Sequence, residues 1–442
     1  MSVLLVMSST LVPMKLALAL PSFAQQTGLP CSSCHTVGFG PQLTPLGQKF
    51  KLDGYNMGGN KHDFVPIAAM MIGTVTHTSD AQDGGAAPHF APNNNAAIDQ
   101  TSLFFAGRIT DHLGAFAQVT YDGIVRHLAW DNVDIRYARD ATISRHAFTW
   151  GVTLNNNPTV QDVWNTVPAW SFPYVSSGLA PTPAASPLIE EALGQQVYGV
   201  SGYTMLDNLA YLEVGGYKTL PTNLQNDLGV KPDGEDKIRG VAPYWRAVLK
   251  HQAGANDFAG GVFGMQSRIF PGSDESSGTD RKTDLGYDLT YIGTRGKHLF
   301  QLQAALVQEL QHLPASFALG NAHHHDDHLQ TRRVNAEYVF DSTYAATLAS
   351  FVVRGSVDHG LYASDPVDGS ATGNPESRGY IGELSYTPFG KFNSIAKPWL
   401  NMRFGLQYTR YTRFNGGDSN YDGSGHSAHD NDTLFAFVWL AI

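Results

Sequence analysis

The chain has 442 residues and a formal net charge of −10, with 15% charged and 11% aromatic side chains. An acidic balance with no basic stripe excludes a nucleic-acid binder, and a charged share well below the usual figure of about 25% argues against a string of ordinary soluble domains. Beyond the first residues no run of about 18 apolar positions occurs, which excludes helical membrane spans.

Residues 1–24 read as an export leader. Small residues at Ser22 and Ala24 frame a cleavage site after Ala24, and the stretches 3–6 and 16–20 supply apolar character. The pattern departs from the usual one in a single respect, since Lys15, the leader's one positive charge, lies late and splits the apolar region.

Seven residues on stands Cys31-Ser32-Ser33-Cys34-His35. Two cysteines with two residues between them and a histidine directly after form the attachment sequence for haem c, in which both sulfurs bond to the porphyrin and the histidine takes one face of the iron. Because the chain has 2 cysteines in all, a disulfide framework is excluded. A short Cys31 to Cys34 redox disulfide and half of a zinc site are the competing readings, and an exported chain with His35 adjacent favours haem.

The haem segment spans 25–63. Thr44 ahead of Pro45, with Leu43, Leu46 and Phe50 near helical spacing, predicts a helix over 44–52 that Gly54 ends. A segment of under about 40 residues rarely holds a core unaided, so the porphyrin and a docking surface on the rest of the chain must stabilise it. For the second face of the iron, Met57 is the first candidate and would raise the potential. His62 is its rival, with Met70 and Met71 behind them.

From 64 to 442 the hydrophobic period changes to two. Leu400, Met402, Phe404, Leu406 and Tyr408 alternate with Asn401, Arg403, Gly405, Gln407 and Thr409; Phe300 and Leu302 alternate with Gln301 and Gln303, and Trp245 and Leu249 with Tyr244, Arg246 and Lys250. These are strands between oil and water. About sixteen such strands, from 64–78 to 431–442, are joined alternately by brief turns such as Thr294-Arg295-Gly296 and Asp341-Ser342-Thr343 and by loops of up to about forty residues, lengths rare in compact soluble domains. The fold predicted is all-β, an antiparallel transmembrane β-barrel of about 16 strands, with the haem segment as a plug gripped by inward residues such as Asn401, Arg403, Gln301 and Gln303. Both chain ends then lie on the turn side, the periplasmic side in such barrels. A soluble all-β protein is the alternative. The last strand ends in Ile442 where such barrels usually finish on an aromatic residue, and reads as a closing strand with a variant end.

In the loop after the eleventh strand, His323-His324-His325-Asp326-Asp327-His328 presents imidazoles and carboxylates competent for first-row divalent metals, although clustered histidines on a loop also bind metals opportunistically. Acidic stretches at 80–83, 274–280 and 429–432 could concentrate cations or simply be solvated. No serine, histidine and acid arrangement and no nucleotide-binding glycine loop rises above chance.

Gln26-Thr27-Gly28-Leu29-Pro30 before the haem motif, and Phe50-Lys51-Leu52-Asp53-Gly54-Tyr55 after it, resemble the fused outer-membrane cytochrome-porin family, the monohaem iron-oxidising outer-membrane cytochromes. Residues 102–110, 112–122 and 151–164, the last with Asn155-Asn156-Asn157-Pro158-Thr159, carry the same resemblance, which is firm over roughly the first 170 residues. It implies one covalently bound haem c in a barrel of the bacterial outer membrane. The implied activity is an oxidoreductase conduit passing electrons from extracellular Fe(II) to a periplasmic c-type cytochrome or copper protein. The alternatives are the same conduit with another donor or reversed flow, and a plain diffusion porin with a structural haem.

Overall fold

The computed structural model describes residues 21–58, 66–190, 192–230, 236–362, 369–391, 393–396 and 399–442. The leader reading over 1–20 lies outside them. The expected cut after Ala24 falls inside the first helix, α1 (Pro21–Thr27), which is followed by α2 (Cys31–Cys34) and α3 (Pro45–Leu52).

Among the described residues seventeen strands form one sheet, and sixteen of them close into a ring. In chain order these are β1 (Ile67–Thr78), β2 (Asn95–Arg108), β3 (Leu113–Asp122), β4 (His127–Ile143), β5 (His146–Asn155), β6 (Val197–Leu206), β7 (Ala210–Thr219), β8 (Ala242–Ala253) and β9 (Asn256–Pro271). The circuit continues through β10 (Asp280–Arg295), β11 (His298–His312), β12 (Asp326–Phe340), β13 (Tyr344–Gly355), β14 (Ser377–Tyr386), β15 (Asn401–Arg413) and β16 (Thr433–Ala441). Each strand pairs antiparallel with its neighbours, and β1 closes the ring by pairing with both β2 and β16. The remaining strand, Asp236–Ile238, is three residues hung on the end of β9. Closure leaves no open edge, so every ladder group has a partner without water, the condition for crossing a bilayer. The closing strand with its isoleucine end is therefore β16.

Period two decides the two faces. On β15, Phe404, Leu406 and Tyr408 point out while Asn401, Arg403 and Gln407 are buried inside, Leu406 being 49% exposed and its neighbour Gln407 3%. Phe300 on β11, and Trp245 and Leu249 on β8, face out in the same way. An exterior that is apolar around the ring, over an interior carrying arginines, glutamates and glutamines, inverts a soluble protein and suits a lipid surround. Aromatic side chains gather on the exterior at the short-turn end, where Tyr344 stacks on Tyr386 and Tyr386 on Phe404, with ring centroids 5.1 and 6.2 Å apart, as a membrane-interface girdle does. Leu406→Arg is therefore expected to cost about 2–4 kcal/mol of barrel stability, measured by urea unfolding from lipid vesicles. A loss no larger than that of a solvated surface change would mean that this face does not meet lipid.

The alternation of links holds with two departures. After β3 the link on the long-loop end is only 123–126, and at the opposite end β14 leads to β15 through the extended stretch 387–400. That second departure matters, because the backbone of Gly390 in it receives the haem segment.

Candidate functional site

The N-terminal segment 25–58, which carries the Cys31 to His35 motif, enters at the short-turn end and occupies the lumen. Helix α2 brings Cys31 and Cys34 onto one side of a single helical turn, since residues three apart share a helix face. The turn is fixed from both directions: the Ser32 amide donates to the Gly390 carbonyl at 3.0 Å, and the Thr44 amide donates to Cys34 O at 2.9 Å. Thr44 is the N-cap of α3, accepting from the Gly47 amide at 3.3 Å and donating its hydroxyl proton to Ser33 O at 2.6 Å. Helix α3 thus follows its predicted bounds, and Gly54, at φ 73°, ends it. Gly47 lies so close to the attachment turn that a Cβ there would meet Cys34 O at 2.2 Å. Gly47→Val is expected to displace α3 from the attachment turn and to reduce covalent haem content severely, read from haem-stained gels against total barrel; unchanged staining would mean that this contact is not needed.

Lumen side chains seat the segment. Asn401 donates to Gly38 O at 2.7 Å, and Arg403 donates to Gln42 Oε1 at 3.3 Å and to Glu383 Oε1 at 2.6 Å. Gln42 in turn donates to Glu337 Oε1 at 3.0 Å, and Thr36 to Gln301 Oε1 at 3.4 Å. On the far side Tyr55 donates to Asp134 at 2.6 Å, Tyr203 donates to Leu52 O at 2.7 Å, and Arg136, paired with Asp134 at 2.8 Å, donates to Lys51 O. Three of the four expected gripping residues do hold the haem segment. The fourth, Gln303, instead donates to Asn165 O at 3.3 Å and holds a different piece of chain.

That piece is the loop 156–196 from the opposite end, which folds back into the barrel and buries Val160, Trp164, Val167, Leu188, Ile189 and Leu193. Lys51 of α3 ties it to the haem segment, donating to Val160 O at 2.7 Å and Asn165 Oδ1 at 2.8 Å, with its ammonium over the Trp170 ring. The alternation of brief turns and long loops predicts that this stretch lies outside the barrel. Its many apolar and aromatic residues, costly on a wet surface, were the signal that it belongs inside.

Between the two plugs lies a cavity of roughly 690 Å³ walled by Cys31, Cys34, His35, Phe39, Phe104 and Trp170, among others. Its volume falls within the range of about 300–1,000 Å³ typical of cofactor sites. Burial pushes the His35 imidazole down to about 4, against the opposing pull of backbone groups of Gln42 and Gly40, so the ring is neutral, the form that binds metal. Burial, with the neighbouring Cys31, pushes the Cys34 thiol up to about 11, and neither cysteine is in a disulfide; a poised redox thiolate would be shifted the other way. Two thiols on one helix face, an adjacent neutral imidazole and a cavity beside them walled in part by aromatic rings fit a covalently held haem.

Met57 is not on the cavity wall. Gly54 and Tyr55 both take positive φ, 73° and 61°, which turns the chain sharply, and the Gln26 amide then clamps Tyr55 O at 2.6 Å and Met57 O at 2.9 Å. The methionine that does line the cavity is Met70, inward-facing on β1, whose sulfur accepts from Trp439 Nε1 at 3.1 Å. Met71 faces outward at 39% exposure, and His62 lies outside the described residues. Strand register, which puts Met70 inside and Met71 outside, is not fixed by either residue alone.

No family model and no curated protein matches the chain. Solved structures similar to it include an anion-selective porin of Comamonas acidovorans, with TM-score 0.44, 11% identity and 85% of this chain covering 98% of that one. The outer membrane channel DcaP of Acinetobacter baumannii scores 0.44 at 11% identity, covering 85% and 96%. OmpF of Salmonella typhi, solved with daunomycin, scores 0.45 at 11% identity, covering 85% and 97%.

Proposed function

We propose that the chain is an outer-membrane monohaem cytochrome-porin that carries electrons from extracellular Fe(II) across the barrier to a periplasmic c-type cytochrome or copper protein. One observation carries this reading: the Cys31, Cys34 and His35 turn opens onto a cavity of roughly 690 Å³ inside a closed barrel. Cys31 and Cys34 would hold the porphyrin by two thioether bonds and His35 would take one face of its iron; bound there, haem c supplies a one-electron Fe(II)/Fe(III) couple.

The protein's own residues do the rest. The apolar exterior insulates, the haem segment closes the lumen from the short-turn end, and loop 156–196 closes it from the other, so solutes are held back where an electron can pass. Phe39, Phe104 and Trp170 put aromatic surface on the cavity wall, and apolar surroundings favour a high potential by disfavouring the more charged oxidised state. Each extracellular Fe(II) gives up one electron and leaves as Fe(III) on its own side; the same electron leaves on the periplasmic side to the carrier. With α1, the end of β16 and the Cys31 to His35 turn at the short-turn end, the carrier would dock there, as turns of such barrels face the periplasm.

The deciding experiment uses haem-loaded protein in sealed vesicles with Fe(II) outside and an oxidised c-type cytochrome inside. Reduction of the enclosed cytochrome, with little ion conductance in planar bilayers, is the expected result. A large steady conductance with no transferred electrons would instead make the chain a diffusion porin.

A further inference from the structure

The long-loop end carries a second arrangement of ligating side chains, unconnected with the cavity residues. Of the histidine-rich run at the start of β12, the fold selects one member. His325 stacks on Phe317 of α5 (Pro314–Leu319; α4 being Thr222–Asp227), with centroids 4.0 Å apart, and His328 Nδ1 shares a 2.8 Å hydrogen bond with Ser356. His324 turns the other way. Its Nδ1 lies 3.5 Å from Asp327 Oδ1 and 3.4 Å from Asp358 Oδ2, and ligand atoms of the three residues all fall within 4.8 Å of one another.

The two carboxylates are built in rather than solvated. Asp358 has a fully buried side chain. It accepts from the amides of His323 and His324 through Oδ2, at 2.7 and 3.0 Å, and from those of Gly360 and Leu361 through Oδ1, at 2.7 and 3.1 Å. Asp327 is only 8% exposed, and its Oδ2 is a buried acceptor with no hydrogen-bond partner. An oxygen left in that state costs free energy that a cation would recover. His324 itself is half-exposed, with 55% of its side chain open to solvent, which provides an entry path.

We propose that His324, Asp327 and Asp358 form a binding site for a divalent first-row transition-metal ion. One imidazole nitrogen with two carboxylate oxygens is a mixed donor set suited to such ions. A spread of ligand atoms up to 4.8 Å needs only a small contraction to bring each to the usual bond length of about 2.0–2.2 Å. The site stands whether or not the cavity holds haem. Its position relative to the cavity follows from strand geometry: Thr331 on the cavity wall is four residues further along β12 from Asp327 and on the same face, about 13 Å at the usual strand rise.

The test uses the full chain in detergent, made without a polyhistidine tag, stripped with EDTA and titrated with Co(II) in a calorimeter. One saturable site is expected, lost in His324→Ala and in the isosteric Asp327→Asn, and retained in His325→Ala and His328→Ala, with heat-modifiable gel migration confirming a folded barrel in each. Absence of a saturable site in the parent protein, undiminished binding in Asp327→Asn, or equal loss in the His325 and His328 variants, as opportunistic binding by a histidine-rich loop would give, overturns the proposal.

Discussion

Cys31→Ser with Cys34→Ser is expected to yield a folded, membrane-inserted barrel with no covalent haem and with Fe(II)-driven electron transfer at background. The two parts of this expectation rest on separate physics. The barrel is held by sixteen antiparallel ladders whose hydrogen bonds involve neither residue, and serine is close to cysteine in size and shape, so heat-modifiable gel migration should match that of the parent. Covalent attachment needs both sulfurs on the α2 face, and an oxygen forms no thioether. His35→Ala separates attachment from ligation: haem stays bound through Cys31 and Cys34, while the visible spectrum loses the signature of histidine ligation and the midpoint potential moves, because an axial ligand is a main determinant of both. Covalent haem in the double serine variant, or a parent spectrum in His35→Ala, would refute the assignment of these three residues.

Much of this was legible in the sequence for a definite reason. Alternation at 400–409 and the CxxCH spacing are local patterns, each confined to a few neighbouring residues, and local patterns survive folding. The helix ending at Leu52 was readable for the same reason, through Thr44, Pro45 and Gly54. What escaped was non-local. Nothing near residue 160 says that the 156–196 loop turns inward to meet Lys51, and nothing near Met57 says that Gln26, some thirty residues earlier, pins its backbone. Nor does anything local show that Gly390, in the stretch after β14, meets Gly38: a Cβ on Gly390 would lie 2.4 Å from Gly38 O, so the close approach itself requires glycine there.

The largest stability effect is expected at Arg403, where the lumen and the haem segment share one buried charge. Its side chain is 1% exposed and that of its partner Glu383 2%, and it holds Gln42, which in turn bonds Glu337. Arg403→Leu leaves Glu383 a buried carboxylate without its cation and releases the Gln42 bridge. Breaking a buried pair from one side costs about 3–5 kcal/mol, whereas removing both partners together costs far less. The single variant should therefore loosen the haem segment, seen as faster proteolysis within 28–58 and a rise in ion conductance, while Arg403→Leu combined with Glu383→Gln should recover much of the protection. The ladders of β14 and β15 persist in both, so barrel migration on gels should not change. If the double variant is as loose as the single one, the uncompensated carboxylate is not the cause, and the seat depends on the direct Arg403 to Gln42 hydrogen bond instead; if neither is loosened, the segment is held by Asn401, Tyr55 and the Gly38 to Gly390 contact without help from charge.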